Sequence, residues 1–457
     1  MTSVTYWAPA AWVEGRWQLK VRLSVDAGGH WQRVEPDAPA DGSQVLAGPV
    51  IPSLVDTHSH AFQRAFAGLA ERRDGEDDFW SWRDRMYGLA LRLSPQQLRT
   101  IAARLYVELL KGGYTQVCEF HYLHHQPDGR PHADDELAMS WALAEAAETA
   151  GLGLTLLPVL YARGGFGRAG LRDDQRRFAT DAAWVDAAAR RIEAARRPLV
   201  NAGVALHSLR AANPEDIGAL RRLVGDRDIP IHIHIAEQQQ EVRDCLAHTG
   251  LRPIEWLRRE AAPDARWHLV HATHATREEI ARVAVSGASV VICPGTEGNL
   301  GDGLIDLPGW LAAGVPISIG SDSHVTRAWP EELRWLEYGQ RLALQRRNVA
   351  ADPPSEPGTA ARLFEAARAG SAAPAGFAAW GLQSGARADF LVLDEQADGL
   401  LGLPASHLLD GLVFCGSQGH AVRDVFVAGR QVLSQGRHPK DAAIAAEFAA
   451  LMQQLWR

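Results

Sequence analysis

The sequence predicts an α/β fold, in which a (β/α)8 barrel carries a small β domain built from both ends of the chain. Between residues 50 and 320, apolar strand-like runs alternate with longer stretches rich in alanine, leucine and arginine that have a helical pattern. This alternation is typical of a parallel α/β fold. Eight such units within roughly 270 residues also match the size of a (β/α)8 barrel.

The predicted barrel strands are short runs of mostly apolar residues. They cover residues 50–55, 115–120, 152–160, 201–206, 230–235, 267–270, 288–293 and 316–320. A doubly wound open sheet is the alternative arrangement. We favour the barrel because polar motifs follow the first, fifth, sixth and eighth runs, and a barrel brings the carboxyl ends of all its strands to one point.

The predicted small β domain combines sequence from both ends of the chain. The amino-terminal segment has short β-patterned runs separated by turn signals such as DAGGH and PADGS. β-Patterned sequence returns at residues 385–393 and 422–430, and a terminal helix is expected over residues 441–456. We expect residues 1–48 to form the first part of the small β domain and residues 49–379 to form the metal-dependent barrel. Residues 380–457 are expected to complete the small domain and to add the terminal helix.

Composition and charge favour a cytoplasmic globular protein. Of its 457 residues, 46% are hydrophobic and 22% are charged, which is ordinary for a globular chain. The net charge of −8 argues against a nucleic-acid surface. The four cysteines form no C-x-x-C pair, as expected in a reducing compartment. We find neither a signal-peptide pattern nor a run of about 20 apolar residues, so no membrane partner is expected.

Four separated motifs together predict a metal site. They are His58-Ser59-His60, His234-Ile235-Ala236-Glu237, His271 and Asp322, each at the end of a predicted strand. Residues i and i+2 of a strand project to the same side, so His58 and His60 can share one ion. Imidazole suits zinc or iron(II), and Asp322 completes a set of three nitrogens and one oxygen with His58, His60 and His234, leaving one position for water.

The other polar groups of these motifs suit hydrolysis by that water. A bound metal lowers the pKa of its water toward about 7 and so supplies hydroxide at neutral pH. Asp322 can accept a proton from the water, and Glu237 can deliver a proton to a substrate nitrogen as general acid. His271 can stabilise the attacking hydroxide. One metal ion is expected, because no lysine that could bridge two ions follows the fourth predicted strand.

The motifs resemble the amidohydrolase superfamily, in its mononuclear deaminase branch, and within that branch the formimidoylglutamate deiminase family. The segments that carry the resemblance are HSHAFQRAFAGLAER, DDFWSWRDRMY, ELLKGGYTQVCEFHYLHH, HSLRA, HIHIAEQ, CPGTEGNLGDG and GSDSHV. The resemblance implies a TIM barrel of the amidohydrolase type that binds a divalent ion, with zinc preferred, and forms a homodimer. It also implies hydrolysis of N-formimino-L-glutamate to N-formyl-L-glutamate and ammonia, a step of histidine degradation.

The resemblance further implies roles for individual residues. His58, His60, His234 and Asp322 would bind the metal, with Glu237 and His271 beside the reacting group. The implied substrate contacts are Gln63, Arg83, Tyr122, His207 and Arg210. The residue types agree with this substrate class, since the planar guanidinium of arginine is suited to binding carboxylates.

Two other interpretations stay open at this level. A related mononuclear deaminase acting on a purine-like or triazine ring would share the whole metal motif, and the fifteen tryptophans could stack on such a ring. A non-catalytic metal-binding barrel is the second interpretation. The presence of Glu237, His271 and Asp322 together argues against it.

Overall fold

The computed structural model describes residues 3–72, 79–416 and 421–456. The strands are β1 (Val4–Val13), β2 (Arg16–Val25), β3 (Trp31–Glu35), β4 (Gln44–Val45), β5 (Val50–Pro52), β6 (Leu54–Ser59), β7 (Tyr114–His121), β8 (Gly153–Leu160), β9 (Val200–Ala202), β10 (Val204–Ser208), β11 (Ile231–Ile235), β12 (Trp267–His271), β13 (Ser289–Ile292), β14 (Ile317–Ile319), β15 (Phe390–Leu393), β16 (Val422–Val427) and β17 (Arg430–Leu433).

The helices lie mostly between the barrel strands. They are α1 (Phe79–Ala90), α2 (Pro95–Lys111), α3 (Ala138–Ala150), α4 (Ala182–Ala194), α5 (Pro214–Val224), α6 (Gln239–Thr249), α7 (Pro253–Ala261), α8 (Arg277–Ser286), α9 (Pro294–Leu300), α10 (Leu307–Ala312), α11 (Trp329–Leu344), α12 (Thr359–Gly370), α13 (Leu408–Asp410) and α14 (Asp441–Leu455). Among the described residues, no helix is long and apolar enough to cross a membrane.

Eight parallel strands form the barrel, which confirms the fold class predicted from the sequence. Their order is β6, β7, β8, β10, β11, β12, β13 and β14, and β9 pairs with the edge of β8. The strands are buried along almost their whole length, because the helices cover the outside and the side chains fill the inside.

The barrel is closed by backbone contacts between the end of β6 and the residues after β14, which we call the seam. Asp322 N donates to His58 O at 2.9 Å, and His60 N donates to Asp322 O at 3.2 Å. The side chain of Asp56 in β6 reinforces this contact by accepting from Ser321 N at 2.9 Å and from Ser321 Oγ at 2.5 Å. The seam therefore joins two of the predicted metal-binding motifs directly.

The small sheet takes strands from both ends of the chain, as predicted. Its order is β17, β16, β15, β5, β1, β2 and β3, with β4 paired to β1. Its core is aromatic: Phe390 stacks on Phe426 with ring centroids 4.2 Å apart, and Tyr6 packs edge-on against both rings. This packing holds the two ends of the chain together.

Two of the predicted strands are wrong in their extent. The run over residues 50–55 is divided, since β5 pairs with β1 and β15 of the small sheet whereas β6 begins the barrel. The division cannot be recognised in the sequence, because both parts belong to one run of mostly apolar residues, and the structure buries both. The run over residues 201–206 is also divided, at Gly203, where a Cβ atom would lie 2.6 Å from Pro230 O.

A short turn after α12, at Ala373–Ala375, closes the amino end of the barrel. Pro374 O accepts from His232 Nε2 at 2.8 Å and from Cys118 Sγ at 3.4 Å. Ala375 O accepts from Thr155 Oγ1 at 3.1 Å. These contacts satisfy polar groups inside the barrel and give His232 a structural role, as expected from its position deep in its strand.

Gly320 packs against the seam, and an alanine there should destabilise the barrel. Its Cβ atom would lie 2.6 Å from His58 Cβ and 2.8 Å from His58 N and O. Overpacking of this kind costs about 1–3 kcal/mol, so we expect Gly320→Ala to lower the midpoint of thermal unfolding. Gly88→Ala in α1 is the matched control, because its Cβ would meet nothing within 4 Å. Equal midpoints for the two variants would contradict the importance of this contact.

Candidate active site

Four side chains converge at the carboxyl end of the barrel, beside the seam. His58 lies in β6, His60 directly after it, His234 in β11, and Asp322 after β14. His58 Nε2 lies 3.2 Å from His60 Nε2 and 2.9 Å from His234 Nε2. Asp322 Oδ1 lies 3.7 Å from His58 Nε2 and 3.5 Å from His60 Nε2. All four side chains are buried.

Backbone carbonyls orient two of these imidazoles. His60 Nδ1 donates to Phe120 O at 2.9 Å, and His234 Nδ1 donates to His207 O at 2.9 Å. Because a carbonyl oxygen only accepts, Nδ1 carries the proton in both rings and Nε2 presents a lone pair. Burial lowers the pKa of His60 to about 3. Burial and the neighbouring imidazoles lower the pKa of His58 and His234 well below its usual value, so these rings are neutral.

This set of donor atoms fits a divalent metal ion. Two ligands placed about 2.1 Å from a tetrahedral ion lie roughly 3.4 Å apart, and the four distances above span that value. The lone pairs of His60 and His234 both face His58 Nε2, an arrangement that a cation stabilises. His58, His234 and His271 form a second candidate set, since their ring nitrogens lie within 4.8 Å of one another.

His271 lies among three carboxylates. Its Nε2 atom is 3.9 Å from Glu237 Oε1 and 3.8 Å from Asp322 Oδ2, and its Nδ1 atom is 3.2 Å from Glu297 Oε1. Burial alone would lower the pKa of His271, but the three carboxylates raise it to about 10. For the Asp322 carboxyl, burial has the opposite effect and raises the pKa to about 7, because it disfavours the charged form. A protonated Nε2 of His271 therefore faces the space between Glu237 and Asp322, where it can donate a hydrogen bond.

The backbone around these side chains adopts left-handed conformations. The φ angles are 50° at Ala236, 69° at His271, 49° at Ala272, 50° at Asp322 and 65° at His324. Such conformations cost about 1–3 kcal/mol each outside glycine and concentrate at functional sites. These residues lie at or just after the carboxyl ends of β11, β12 and β14, where the side chains of the cluster project.

A cavity of about 610 Å³ opens over the cluster. The sequence-predicted metal and catalytic residues on its wall are His60, His234, Glu237, His271 and Asp322. The predicted substrate contacts on its wall are Gln63, Arg83, Tyr122, His207 and Arg210. His58 is fully buried behind them. The structure thus brings all the site residues predicted from the sequence to one place.

The two arginines predicted to contact the substrate share one aromatic surface. The guanidinium carbon lies 4.5 Å from the Trp80 ring centroid in Arg83 and 5.4 Å in Arg210. Arg210 Nη2 also lies 3.6 Å from Glu237 Oε2, and Arg83 Nη2 lies 3.4 Å from Asp84 Oδ1. Stacking on an indole restricts the guanidinium planes. Residues 77 and 78, which open the motif that contains Arg83, lie outside the described residues.

Other residues of the site escaped the sequence analysis. Glu297 contacts His271, yet its place in the first turn of α9 is equally typical of an acid that stabilises a helix amino terminus. The Phe120 ring lies 4.3 Å from that of His234, and its apolar character gave no signal. His324 Nδ1 lies 3.0 Å from Ser321 Oγ. This histidine, to which the sequence analysis gave no role, therefore contacts the seam beside the site.

Comparison with known proteins agrees with this geometry. Residues 50–432 match the amidohydrolase family. The formimidoylglutamate deiminase of Pseudomonas aeruginosa is 46% identical over 444 residues, which cover 96% of this chain and 96% of that protein. The crystal structure of an amidohydrolase from Brucella melitensis is 41% identical, with a TM-score of 0.93 over 99% of this chain and 100% of that one.

A more distant structure contains a metal. The crystal structure of an adenosine deaminase from Xanthomonas campestris with bound zinc has a TM-score of 0.80 and 22% identity, covering 99% of this chain and 98% of that one. At that identity the similarity shows the shared fold alone. The family match and the 46% identity confirm the resemblance found in the sequence, and the chain belongs to the amidohydrolase family.

Proposed function

We propose that this protein hydrolyses N-formimino-L-glutamate to N-formyl-L-glutamate and ammonia in histidine degradation. One observation carries the proposal: two arginines, Arg83 and Arg210, stand on the wall of the cavity that also contains the histidine–aspartate cluster and Glu237. A substrate with two carboxylates and a cationic formimino group matches these charges. The 46% identity to the Pseudomonas aeruginosa formimidoylglutamate deiminase supports the same reaction.

The proposed metal site holds one divalent ion, preferably zinc, on His58, His60, His234 and Asp322. The neutral imidazoles and the buried carboxylate support this assignment. When bound, the ion supplies Lewis acidity that brings the pKa of a coordinated water toward about 7. The sequence after β10 supports a single ion. This strand ends at Ser208, and no lysine that could bridge two ions lies near it.

The proposed acid–base residues divide the proton transfers. Asp322 accepts the proton that the attacking water loses, and Glu237 delivers a proton to the nitrogen that leaves as ammonia. His271 Nε2, at 3.8 to 3.9 Å from both carboxylates, donates to the attacking oxygen. Glu297 positions His271 by accepting from its Nδ1 atom.

The proposed substrate contacts are on the other walls of the cavity. Arg210 and Arg83 bind substrate carboxylate. Gln63 and Tyr122 are hydrogen-bonded to each other at 3.2 Å and offer polar groups near the formimino group. The His207 ring packs against Tyr161 with centroids 4.4 Å apart, which fixes the orientation of its nitrogens toward the substrate.

Further parts of the proposal concern the whole chain. On the family resemblance we propose a homodimer that acts in the cytoplasm on a small-molecule dicarboxylate. The net charge of −8 supports the expectation of no nucleic-acid partner. We propose a barrel over residues 49–379, with the flanking segments 1–48 and 380–457 forming the small domain.

The proposed substrate can be tested with the zinc-loaded protein. Ammonia release should be measured with N-formimino-L-glutamate, guanine and adenosine side by side. We expect turnover of N-formimino-L-glutamate alone, because the arginines bind carboxylates that the ring compounds lack. Ammonia from a ring compound alone would overturn the proposal.

Glu237→Gln tests the acid role of this residue. The amide cannot deliver a proton, so we expect kcat to fall roughly 10²- to 10⁴-fold while the metal content stays unchanged. Glu241→Gln is the matched control, since Glu241 accepts from Glu237 N at 3.1 Å but does not line the cavity. Kinetics of ammonia release and elemental analysis provide the two readouts. A Glu237→Gln protein with normal kcat would exclude the role.

Arg210→Met tests carboxylate binding. Loss of the guanidinium should raise KM for N-formimino-L-glutamate by roughly tenfold or more, with the metal content unchanged. Arg221→Met on the exposed face of α5 removes the same charge away from the cavity and should leave KM unaltered. An unchanged KM in Arg210→Met would remove Arg210 from the substrate site.

A further inference from the structure

A carboxylate on the outside of the barrel, that of Glu108 in α2, binds three arginines. Arg64 Nε and Nη2 donate to its two oxygens at 2.6 and 3.0 Å, and Arg104 Nε donates to Oε1 at 2.9 Å. Arg327 Nε lies 3.1 Å from Oε2. The Glu108 side chain is only 12% exposed, so solvent screens these charge-assisted contacts less than it screens an exposed ion pair.

Arg64 belongs to the segment that carries the first two candidate metal ligands. It lies in the short 3-10 helix Ala61–Ala65, which begins directly after His60. The same guanidinium lies over the ring of Phe448 in α14, with its central carbon 5.0 Å from the ring centroid. Because contacts with both Glu108 and this ring restrict the guanidinium, the turn that follows His60 is fixed to the outer helices.

Arg327 belongs to the segment on the other side of the seam, between Asp322 and α11. Its guanidinium donates to His324 O as well as contacting Glu108. The backbone there lies directly against the end of α2, since a Cβ atom on Gly112 would lie 1.9 Å from Arg327 O. Glu108 therefore contacts one guanidinium from each side of the seam.

The third arginine has no part in the seam. Arg104 lies in α2 itself, one turn before Glu108, and its Nη1 atom donates to Asp441 Oδ1 at 2.8 Å. Lys111 Nζ donates to the other oxygen of Asp441 at 2.6 Å. These contacts join α2 to the start of α14. Removal of Arg104 therefore perturbs the same carboxylate without touching either segment that carries candidate metal ligands.

The negative charge of Glu108 separates guanidinium groups that repel one another. Burial by itself would raise the pKa of Glu108, but Arg64, Arg327 and Arg104 lower it below its usual value, so the carboxylate is ionised at neutral pH. Burial lowers the pKa of Arg327; Glu108 opposes this effect, and Arg64 lowers the pKa further. Without the carboxylate, like charges from the two sides of the seam would face each other and push the segments apart.

We propose that Glu108 is a positioning residue for the metal site, which holds the ligand-bearing segments of the seam together through Arg64 and Arg327. This inference rests on the metal ligands of the proposed function. Groups that orient metal ligands commonly change metal affinity by about 10- to 100-fold. Glu108 acts on the segments and not on the ligands themselves, so we expect an effect near the lower end of this range.

The test measures the zinc affinity of single variants, by competition with a chromogenic chelator. Glu108→Gln keeps the shape of the side chain and removes its charge, and it should weaken zinc binding roughly tenfold. Arg104→Gln removes a guanidinium from the same carboxylate but not from the seam, so it should leave zinc affinity unchanged. If Glu108→Gln does not fold, Arg327→Gln, which releases one side of the seam, decides the question on the same readout.

A second carboxylate separates this effect from a loss of overall stability. Asp186 in α4 accepts from Arg190 Nε at 2.8 Å and also from Arg227, which precedes β11 at the opposite end of the barrel from the candidate ligands. We expect Asp186→Asn to lower the midpoint of thermal unfolding, as Glu108→Gln does, with unchanged zinc affinity. Wild-type zinc affinity in Glu108→Gln, or an equal loss of affinity in both variants, would overturn the proposal.

Hydrogen exchange in the metal-free protein tests the hold on the seam separately from the proposed function. Glu108→Gln should speed exchange in the segments 58–66 and 320–328, whose amides form the seam, and leave the segment 231–237 unchanged. Arg104→Gln should change none of the three. If the wild-type protein binds no zinc, the proposed metal site fails, and exchange alone decides the role of Glu108. Faster exchange at the seam in Glu108→Gln supports that role, and unchanged exchange overturns it.

Discussion

The backbone pairing of His58 and His60 with Asp322 is the contact on which the site depends. These two hydrogen bonds join the first and last strands of the barrel, and the same three residues supply candidate metal ligands. Ligand spacing is therefore fixed by barrel closure and not by the flexible part of any side chain. The carboxylate of Asp56 reinforces this pairing, because it accepts hydrogen bonds from both Ser321 N and Ser321 Oγ. Burial raises the pKa of Asp56 to about 7, which is tolerable because these donors satisfy its oxygens.

Neutral and charged side chains lie next to one another in the cavity. The imidazoles of His58, His60 and His234 are neutral, because they are buried beside one another. His271 is a cation among carboxylates although its ring stacks on that of His234, and Arg83 and Arg210 line the same cavity. Such an arrangement favours a ligand whose positive end meets Glu237 and whose anionic groups meet the arginines. It disfavours a neutral ring, which offers those arginines no carboxylate to bind.

The sequence predicted the fold class, because strand periodicity is a local property. The residues that its motifs proposed for the site lie in or directly beside one cavity. The divided run at residues 50–55 could not be foreseen, since β5 and β6 differ only in which distant strand they pair with. Glu297 was missed for a related reason. It looks like an ordinary surface charge in sequence, and only the fold brings it to His271. Local sequence patterns do not reveal which segments far apart in the chain will contact each other.

The way the small sheet is assembled has a consequence for folding. Pro52 pairs with Phe390, and the turn at Pro374 seals the amino end of the barrel. During synthesis on the ribosome, the emerging barrel therefore has an open end, and β5 lacks one of its two partners, β15, until most of the chain has been made. Pairing of segments so distant in sequence slows folding and leaves apolar strand edges exposed in the meantime. Nascent chains of this protein thus pass through a stage in which the edge of β5 that faces β15 is open to pairing with other chains.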